Sequence, residues 1–220
     1  MRLRGTALLG VLAALGGALV LGGGVEFPFA APPAAAAAPA ASPSAEVRIY
    51  GFKDGPPPRV TGGFGEDSCV ACHWDDENDG LGMLKVTGFP EYFEPGERYP
   101  IGVVLVREGM QVAGFQLAAR YEADTSQAGR FEVPSHQEAR VAVTADREVE
   151  FAQHRLDGTE LSAPDRAGWK VDWVAPDAGG VVVVHVSAVA GDGDESQLGD
   201  YVYTIEVRTR PVAGASYRWR

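Results

Sequence analysis

The chain has 220 residues, of which 45% are hydrophobic, and carries a formal net charge of −11. This length supports one domain with a sizeable core in addition to an export segment. The acidic balance argues against binding to phosphate backbones or anionic lipid surfaces, so we expect no nucleic-acid partner. The 28 glycines and 15 prolines favour a turn-rich all-β domain over a helical one.

Residues 1–25 have the pattern of a signal peptide or an N-terminal membrane anchor. A positively charged tip, Met1-Arg2-Leu3-Arg4, precedes an uncharged apolar run that is long enough, at about 20 residues, to cross a bilayer. The many glycines in this run favour cleavage. In either case we expect the domain to be periplasmic or otherwise extracytoplasmic, either soluble or tethered to the membrane through its N-terminus. The Ala/Pro-rich residues 26–46 are typical of a linker.

Residues 47–210 are predicted to form a β-sandwich domain, and residues 211–220 a C-terminal tail. Short β-rich segments recur between turns, and none of them has the period of an amphipathic helix. This spacing predicts an antiparallel β-sandwich. The predicted strands cover residues 47–52, 83–87, 99–106, 111–121, 130–133, 139–144, 148–153, 168–174, 180–190 and 201–207.

The only two cysteines lie in the sequence Ser68-Cys69-Val70-Ala71-Cys72-His73. A C-x-x-C-H pattern is typical of c-type haem attachment. Cys69 and Cys72 are spaced to bond the two vinyl groups of one haem, and His73 would be the proximal iron ligand. The alternatives are a local redox disulfide or half of a zinc site, but no second cysteine pair completes a zinc site. We therefore expect one covalent haem c.

The sixth iron ligand could be a histidine, a methionine or absent. We favour His154, because it follows a predicted strand whose rigid end could present an imidazole to a cofactor. Met83, ten residues beyond His73, is the main alternative. The remaining candidates are interpreted as a turn residue (His136), a histidine of the valine-rich strand (His185) and a turn methionine (Met110).

An acidic segment, Asp75 to Gly80, follows the motif and superficially resembles the start of a calcium loop. The twelfth position of such a loop is Val86 instead of the required Glu, so an EF-hand is excluded and a solvated loop is expected. Calcium binding by this segment or by residues 191–195 stays an open alternative. Three aromatic residues are candidates for packing against the porphyrin: Phe64, Trp74 and Tyr92. Phe64 and Tyr92 could instead anchor loops. Trp169 and Trp173 are assigned to the sandwich core.

The chain from Thr61 to Thr204 resembles the bacterial Reelin-like (Reeler) domain, also called the choice-of-anchor V domain. The matching pieces are Gly65-Glu66-Asp67-Ser68-Cys69-Val70-Ala71-Cys72-His73, Gly114-Phe115-Gln116-Leu117, Gly168-Trp169-Lys170-Val171-Asp172-Trp173-Val174-Ala175-Pro176 and Gly199-Asp200-Tyr201-Val202-Tyr203-Thr204. The resemblance implies an immunoglobulin-like β-sandwich, with a haem-bearing loop near its start, on an exported or surface protein. It also implies a histidine shortly before the Trp-x-x-x-Trp strand, which corresponds here to His154.

These observations favour an exported monohaem c-type cytochrome with bis-His ligation that transfers single electrons and is not an enzyme. Its partner would be a redox protein, either basic or membrane-bound. Two alternatives remain open. One is a five-coordinate haem sensor, and the other is a cell-surface Reelin-like adhesion or structural module in which haem is incidental or absent.

Overall fold

The computed structural model describes residues 52–177 and 179–213, all of which belong to one compact unit, Arg48–Arg220. The predicted export segment, the linker and most of the C-terminal tail lie outside the described residues. So does the predicted strand at 47–52, except Phe52, which is not in a strand. Ten strands are described: β1 (Gly82–Thr87), β2 (Tyr92–Phe93), β3 (Arg98–Arg107), β4 (Val112–Tyr121), β5 (Arg130–Glu132), β6 (Val141–Asp146), β7 (Val149–His154), β8 (Arg166–Val174), β9 (Val182–Gly191) and β10 (Tyr201–Pro211).

The strands form two sheets. One has the order β1-β3-β8-β5 and the other the order β2-β10-β9-β4-β7-β6. Every pair is antiparallel except β2 and β10, which run parallel where Tyr92 and Phe93 lie beside Arg210 and Pro211. The predicted all-β, antiparallel sandwich is therefore confirmed, and the two-residue strand β2 is an addition that the sequence did not indicate.

The core between the sheets follows from the alternation of side chains along each strand. On β8, Trp169, Val171 and Trp173 point inward and are almost fully buried, as predicted for the two tryptophans. On β9 the consecutive residues Val182, Val183 and Val184 are all buried, so this strand is covered on both faces. Val184 and Val186 pack into the core, and the opposite face lies under the chain that precedes β1.

Residues 52–68, here called the arm, lie along the outer face of the six-stranded sheet. The buried side chain of Gln116 on β4 holds the arm through two backbone groups. It accepts a hydrogen bond from the Val60 amide (2.8 Å) and donates one to the Pro57 carbonyl (2.9 Å). A second close contact is that of Gly63 with His185, where a Cβ atom would come within 2.0 Å of the imidazole. The arm is therefore an integral layer of the fold.

The C-x-x-C-H motif follows the arm as a short 3₁₀ helix, Cys69–Ala71, and not as an extended loop. The Ser68 hydroxyl caps this helix by accepting a hydrogen bond from the Val70 amide. The Cys69 amide donates to the hydroxyl of Ser187, a fully buried residue of β9 (3.0 Å). The start of the motif is therefore attached to the six-stranded sheet at Cys69.

The acidic segment after the motif, residues 75–79, was predicted to be a solvated loop. In the structure it hydrogen-bonds to β10. The Asn78 amide donates to the Val202 carbonyl (2.8 Å), and Glu77 accepts from the Thr204 hydroxyl (2.7 Å). Asp79 is nearly buried and pairs with Arg107 (2.6 Å). These carboxylates serve as attachment points, which accounts for an acidic run in this position.

Two further three- or four-residue 3₁₀ helices, Ser135–Gln137 and Leu156–Thr159, complete the regular structure. Within residues 52–177 and 179–213, no helix has the length and apolar character needed to cross a membrane.

Candidate functional site

A cavity of about 580 Å³ opens where the start of β4 and the ends of β7 and β9 meet the arm and the motif. Its volume falls within the range of roughly 300–1,000 Å³ that is usual for ligand and cofactor pockets. The lining is mostly apolar, with a few polar groups at defined positions. Its apolar contributors include Pro56, Val60, Val112, Phe115, Leu156 and Val189.

The four residues predicted from the sequence to hold a haem all line this one cavity. Cys69, Cys72 and His73 come from the motif, and His154 comes from the end of β7. The structure thus brings together positions separated by some 80 residues in the chain. Met83, the alternative to His154, lies half-exposed on β1 in the other sheet and does not line the cavity.

His73 has a carboxylate partner that the sequence did not indicate. Its Nδ1 lies 2.6 Å from Oδ2 of Asp200, whose side chain is only 8% exposed. In the neutral imidazole, a proton on Nδ1 is donated to this carboxylate, and the lone pair then lies on Nε2. This is the arrangement in which a histidine most often ligates a metal, with its other ring nitrogen bound to a carboxylate or carbonyl.

Asp200 is itself fixed by the loop between β9 and β10. Its second oxygen, Oδ1, is 3.3 Å from the Asp192 amide, which donates to it. Gly191 leaves room for the carboxylate, since a Cβ atom there would come within 2.7 Å of Oδ1. The same loop binds the motif through the Trp74 amide and the Gln197 carbonyl (2.9 Å). His73 therefore faces a carboxylate that is already oriented.

His154 occupies a position where a β-ladder ends. Strands β4 and β7 pair only at Gln116 and Leu117, and one residue further the imidazole takes the place of the neighbouring strand. Its Nδ1 lies 3.0 Å from the amide nitrogen and 3.2 Å from the carbonyl oxygen of Phe115. The imidazole thus provides a hydrogen-bond partner for backbone groups of Phe115 that have none on β7.

The other ring nitrogen of His154 faces the arm. Nε2 lies 3.1 Å from the Phe52 carbonyl and must donate to it, so in the neutral form Nδ1 accepts from the Phe115 amide. Burial lowers the pKa of His154, and the nearby His73 acts in the same direction. If Nε2 instead bound a metal, Nδ1 could carry the proton and donate to the Phe115 carbonyl. The backbone of one residue, Phe115, therefore supports either tautomer.

Gly114 makes this position of the imidazole possible. A Cβ atom at residue 114 would lie 2.7 Å from Cε1 and 2.9 Å from Nδ1 of His154, closer than side-chain atoms approach one another. The ring therefore packs directly on the backbone of β4, and a residue with any side chain would displace it.

The two cysteines form no disulfide. Cys69 is buried, and this burial raises the pKa of its thiol to about 11. Cys72 is partly exposed at the cavity wall. A shared zinc site is not supported, because no three His, Cys, Asp or Glu side chains come together as metal ligands anywhere in residues 52–177 and 179–213.

The remaining candidates from the sequence lie away from the cavity. His136 is exposed on a 3₁₀ helix, and Met110 is buried in the core. His185 lies on the outer face of β9 with its ring centroid 4.8 Å from that of Phe64. The three aromatic residues considered for porphyrin packing do not line the cavity: Phe64, Trp74 and Tyr92.

The residues present fit a covalently attached haem better than a metal ion held by protein alone. A haem iron receives its equatorial ligands from the porphyrin, so the protein supplies only one or two axial groups. The cavity offers two histidines for that purpose, two thiols beside one of them, and apolar walls for a flat ring. The absence of a three-ligand cluster in the described residues does not count against this fit.

Sequence reasoning missed three groups that shape the site: Asp200, Gly114 and Ser187. Asp200 and Gly114 belong to pieces quoted for the Reelin-like resemblance, Gly199 to Thr204 and Gly114 to Leu117. The structure places both pieces at the cavity, so the resemblance contained a signal for them. No pattern in the sequence pointed to Ser187.

No protein-family model and no curated protein matches the chain. Among solved structures, the human F-spondin reeler domain is similar, with 24% identity, a TM-score of 0.40, and coverage of 60% of this chain and 89% of that one. A cohesin module of a Clostridium perfringens glycoside hydrolase is 13% identical, with a TM-score of 0.39 and coverage of 59% of this chain and 94% of that one. AvmM, which catalyses macrocyclization in alchivemycin A biosynthesis, is 16% identical, with a TM-score of 0.40 and coverage of 65% of this chain and 94% of that one.

At these identities the comparisons concern the fold alone, and the β-sandwich rests on the strand pairing of the structure itself.

Proposed function

We propose that this protein is an exported monohaem c-type cytochrome that transfers single electrons outside the cytoplasm. Cys69 and Cys72 would attach one haem c covalently, with His73 as the proximal and His154 as the distal iron ligand. The observation that supports this most is the convergence of all four side chains on one apolar cavity. The haem, when bound, would supply the one-electron chemistry.

The chain's own residues account for the remaining requirements of an electron carrier. Two axial histidines leave no open iron position, which favours electron transfer over ligand binding or catalysis. Each histidine is held through Nδ1, His73 by Asp200 and His154 by Phe115, so neither ring needs to rotate between redox states. Residues of the arm and apolar side chains of the sheet form much of the cavity wall.

The Phe52 carbonyl favours a second candidate, a five-coordinate haem sensor. It occupies Nε2 of His154, the nitrogen that would bind iron. Six-coordination therefore requires the start of the arm to give up one hydrogen bond. If it does not, the iron would keep one open position facing His154.

The test is to produce the full chain, with its own export segment, in a host that attaches haem to c-type proteins. We expect a covalent haem stain on a denaturing gel, a low-spin visible spectrum in both redox states and a reversible one-electron wave. A Cys69→Ser/Cys72→Ser variant should lose the stain. A chain that folds without acquiring haem would contradict the proposal and leave a Reelin-like structural or adhesion module.

His154→Ala separates the two haem proposals. We expect the variant to become high-spin and to bind carbon monoxide, while His136→Ala, an exposed histidine outside the cavity, leaves the spectrum unchanged. A wild-type protein that is already high-spin and binds carbon monoxide would support the sensor instead. A low-spin spectrum that survives in His154→Ala would exclude His154 as the distal ligand.

We also propose that the redox partner is a basic protein. Exposed carboxylates lie in the two segments beside His73, namely Asp76 in the segment after the motif and Asp192, Asp194 and Glu195 in the β9–β10 loop. The Trp74–Gln197 hydrogen bond joins these segments. Charge complementarity of this kind speeds encounter between partners more than it strengthens binding.

A further inference from the structure

The haem proposal uses Asp200 only to hold the ring of His73, although this residue carries a buried carboxylate at the wall of the cavity. A buried carboxylate is costly unless it is hydrogen-bonded. Its two oxygens have different partners. Oδ1 accepts from the Asp192 amide, which holds the loop, and Oδ2 faces only the imidazole of His73 among the hydrogen bonds described. The contact with His73 is therefore separable from the structural role.

The two histidines of the cavity differ in the charge of the group behind them. Nδ1 of His73 lies 2.6 Å from an acidic side chain, whereas the acceptor nearest Nδ1 of His154 is the neutral carbonyl of Phe115, at 3.2 Å. A carboxylate acceptor pulls the Nδ1 proton more strongly than a carbonyl does and makes Nε2 a more basic ligand. A more basic axial nitrogen stabilises the ferric state relative to the ferrous state.

We propose that Asp200 is a positioning residue for His73 with two effects. It keeps the proton of the neutral imidazole on Nδ1, so that Nε2 is available as a ligand before any haem arrives. Through the same hydrogen bond it lowers the reduction potential of the iron that His73 binds. The second effect rests on the proposed haem function, and the first concerns His73 alone.

The first experiment addresses the tautomer in the full chain produced without haem. Nitrogen-15 NMR of the imidazole, assigned with a His73→Gln variant, distinguishes Nδ1–H from Nε2–H. We expect the Nδ1–H form in the wild type and in Asp200→Asn, whose amide oxygen still accepts the proton. Asp200→Ala should give a mixture of tautomers, while Asp76→Asn, which removes an exposed carboxylate three residues beyond His73, leaves the wild-type form.

The second experiment measures the reduction potential of the haem-loaded protein. We expect a rise in Asp200→Asn, because the variant keeps the shape and the hydrogen bond but loses the charge. Asp76→Asn should change the potential much less, since its charge is exposed and screened. Far-ultraviolet circular dichroism on each variant establishes that the β-sandwich is retained.

Two results would overturn the inference. One is a His73 tautomer that does not change in folded Asp200→Ala, and the other is an equal potential shift in Asp200→Asn and Asp76→Asn, which would reduce Asp200 to one more surface charge. A chain that never acquires haem would instead count against the proposed function, and the tautomer measurement would still decide the first effect.

Discussion

At the scale of single residues, the position of His154 depends on what its neighbours lack. Gly114 has no side chain, and β4 is not paired with β7 at Phe115, so the imidazole fills both gaps. His185 illustrates the same device on the outer face of β9, where Gly63 leaves room for the ring. In both places the absence of a Cβ atom determines where a histidine lies.

Gly114→Ala should displace His154. The added methyl group would meet the imidazole at 2.7 Å, and overpacking of this kind costs about 1–3 kcal/mol. We expect a lower free energy of unfolding in chemical denaturation and, in haem-loaded protein, loss of the low-spin spectrum. Gly168→Ala is the matched control, because the nearest atom to its Cβ would be 3.8 Å away. Equal effects of the two substitutions would contradict this account.

His185 should make stability fall as the solution becomes acidic. Burial lowers the pKa of His185, and Arg208 and Arg120 lower it further, although Glu206 lies 3.2 Å from Nε2. Glu206 is also paired with Arg208, which weakens its effect on the imidazole. The unfolded chain therefore binds a proton that the folded chain resists, and stability is lost as pH falls below about 6.5, the pKa of an unperturbed histidine.

The measurement is the free energy of unfolding of haem-free protein between pH 7 and pH 5. His185→Gln should reduce the slope with pH by at most about 1.4 kcal/mol per pH unit, the contribution of one proton. His136→Gln, at an exposed position, should leave the slope unchanged. An unaltered slope in His185→Gln would assign the pH dependence to other groups.

At the scale of elements, the arm behaves as an added layer held by a small number of polar contacts. Gln116 makes two of them, to the Val60 amide and the Pro57 carbonyl, and its side chain is also held by that of Gln153 on β7. The side chain of Gln116 is fully buried, so these bonds lack competition from water. Gln116 is therefore a central attachment point of the arm.

Gln116→Leu should release the arm while leaving the sandwich intact. The substitution leaves the Val60 amide and the Pro57 carbonyl without their hydrogen-bond partner, at a cost of about 1–3 kcal/mol each. We expect faster hydrogen exchange at Val60 and faster proteolysis within residues 52–68. Gln111→Leu, at an exposed position before β4, is the control. Continued protection of Val60 in Gln116→Leu would mean that other contacts hold the arm.

Most strands were predictable from the sequence because they are β-rich runs between turns, and β8 also shows a period-two pattern at Trp169, Val171 and Trp173. The two-residue strand β2 has no room for a pattern and was missed. The motif was recognisable from local spacing, and His154 from its place at a strand end. Asp200 was not, because its contact with His73 exists only after β10 closes the sheet, and local sequence does not record that closure.

At the scale of the whole molecule, the formal charge of −11 and the exposed carboxylates beside the motif set the expected kinetics. Attraction between an acidic carrier and a basic partner raises the association rate and is screened by salt. Electron exchange with a basic redox protein such as mitochondrial cytochrome c should therefore slow markedly as ionic strength rises from about 0.01 to 0.15 M.

The comparison that checks this charge effect is electron exchange with an uncharged small-molecule oxidant, which should be almost independent of salt. Asp192→Asn/Asp194→Asn should weaken the salt dependence with the basic protein. If both oxidants respond alike to salt, docking through this acidic face is contradicted.

The burial of Cys69 has a consequence for the order of events in biogenesis. In the closed domain its side chain is buried, its amide donates to the Ser187 hydroxyl, and the thiol, with a pKa of about 11, is almost entirely protonated at neutral pH. A buried, protonated thiol is a poor nucleophile. Under the proposed function, haem attachment must therefore come before the arm closes. A chain that folds before attachment would not acquire haem, so the extent of haem loading depends on the rate of folding.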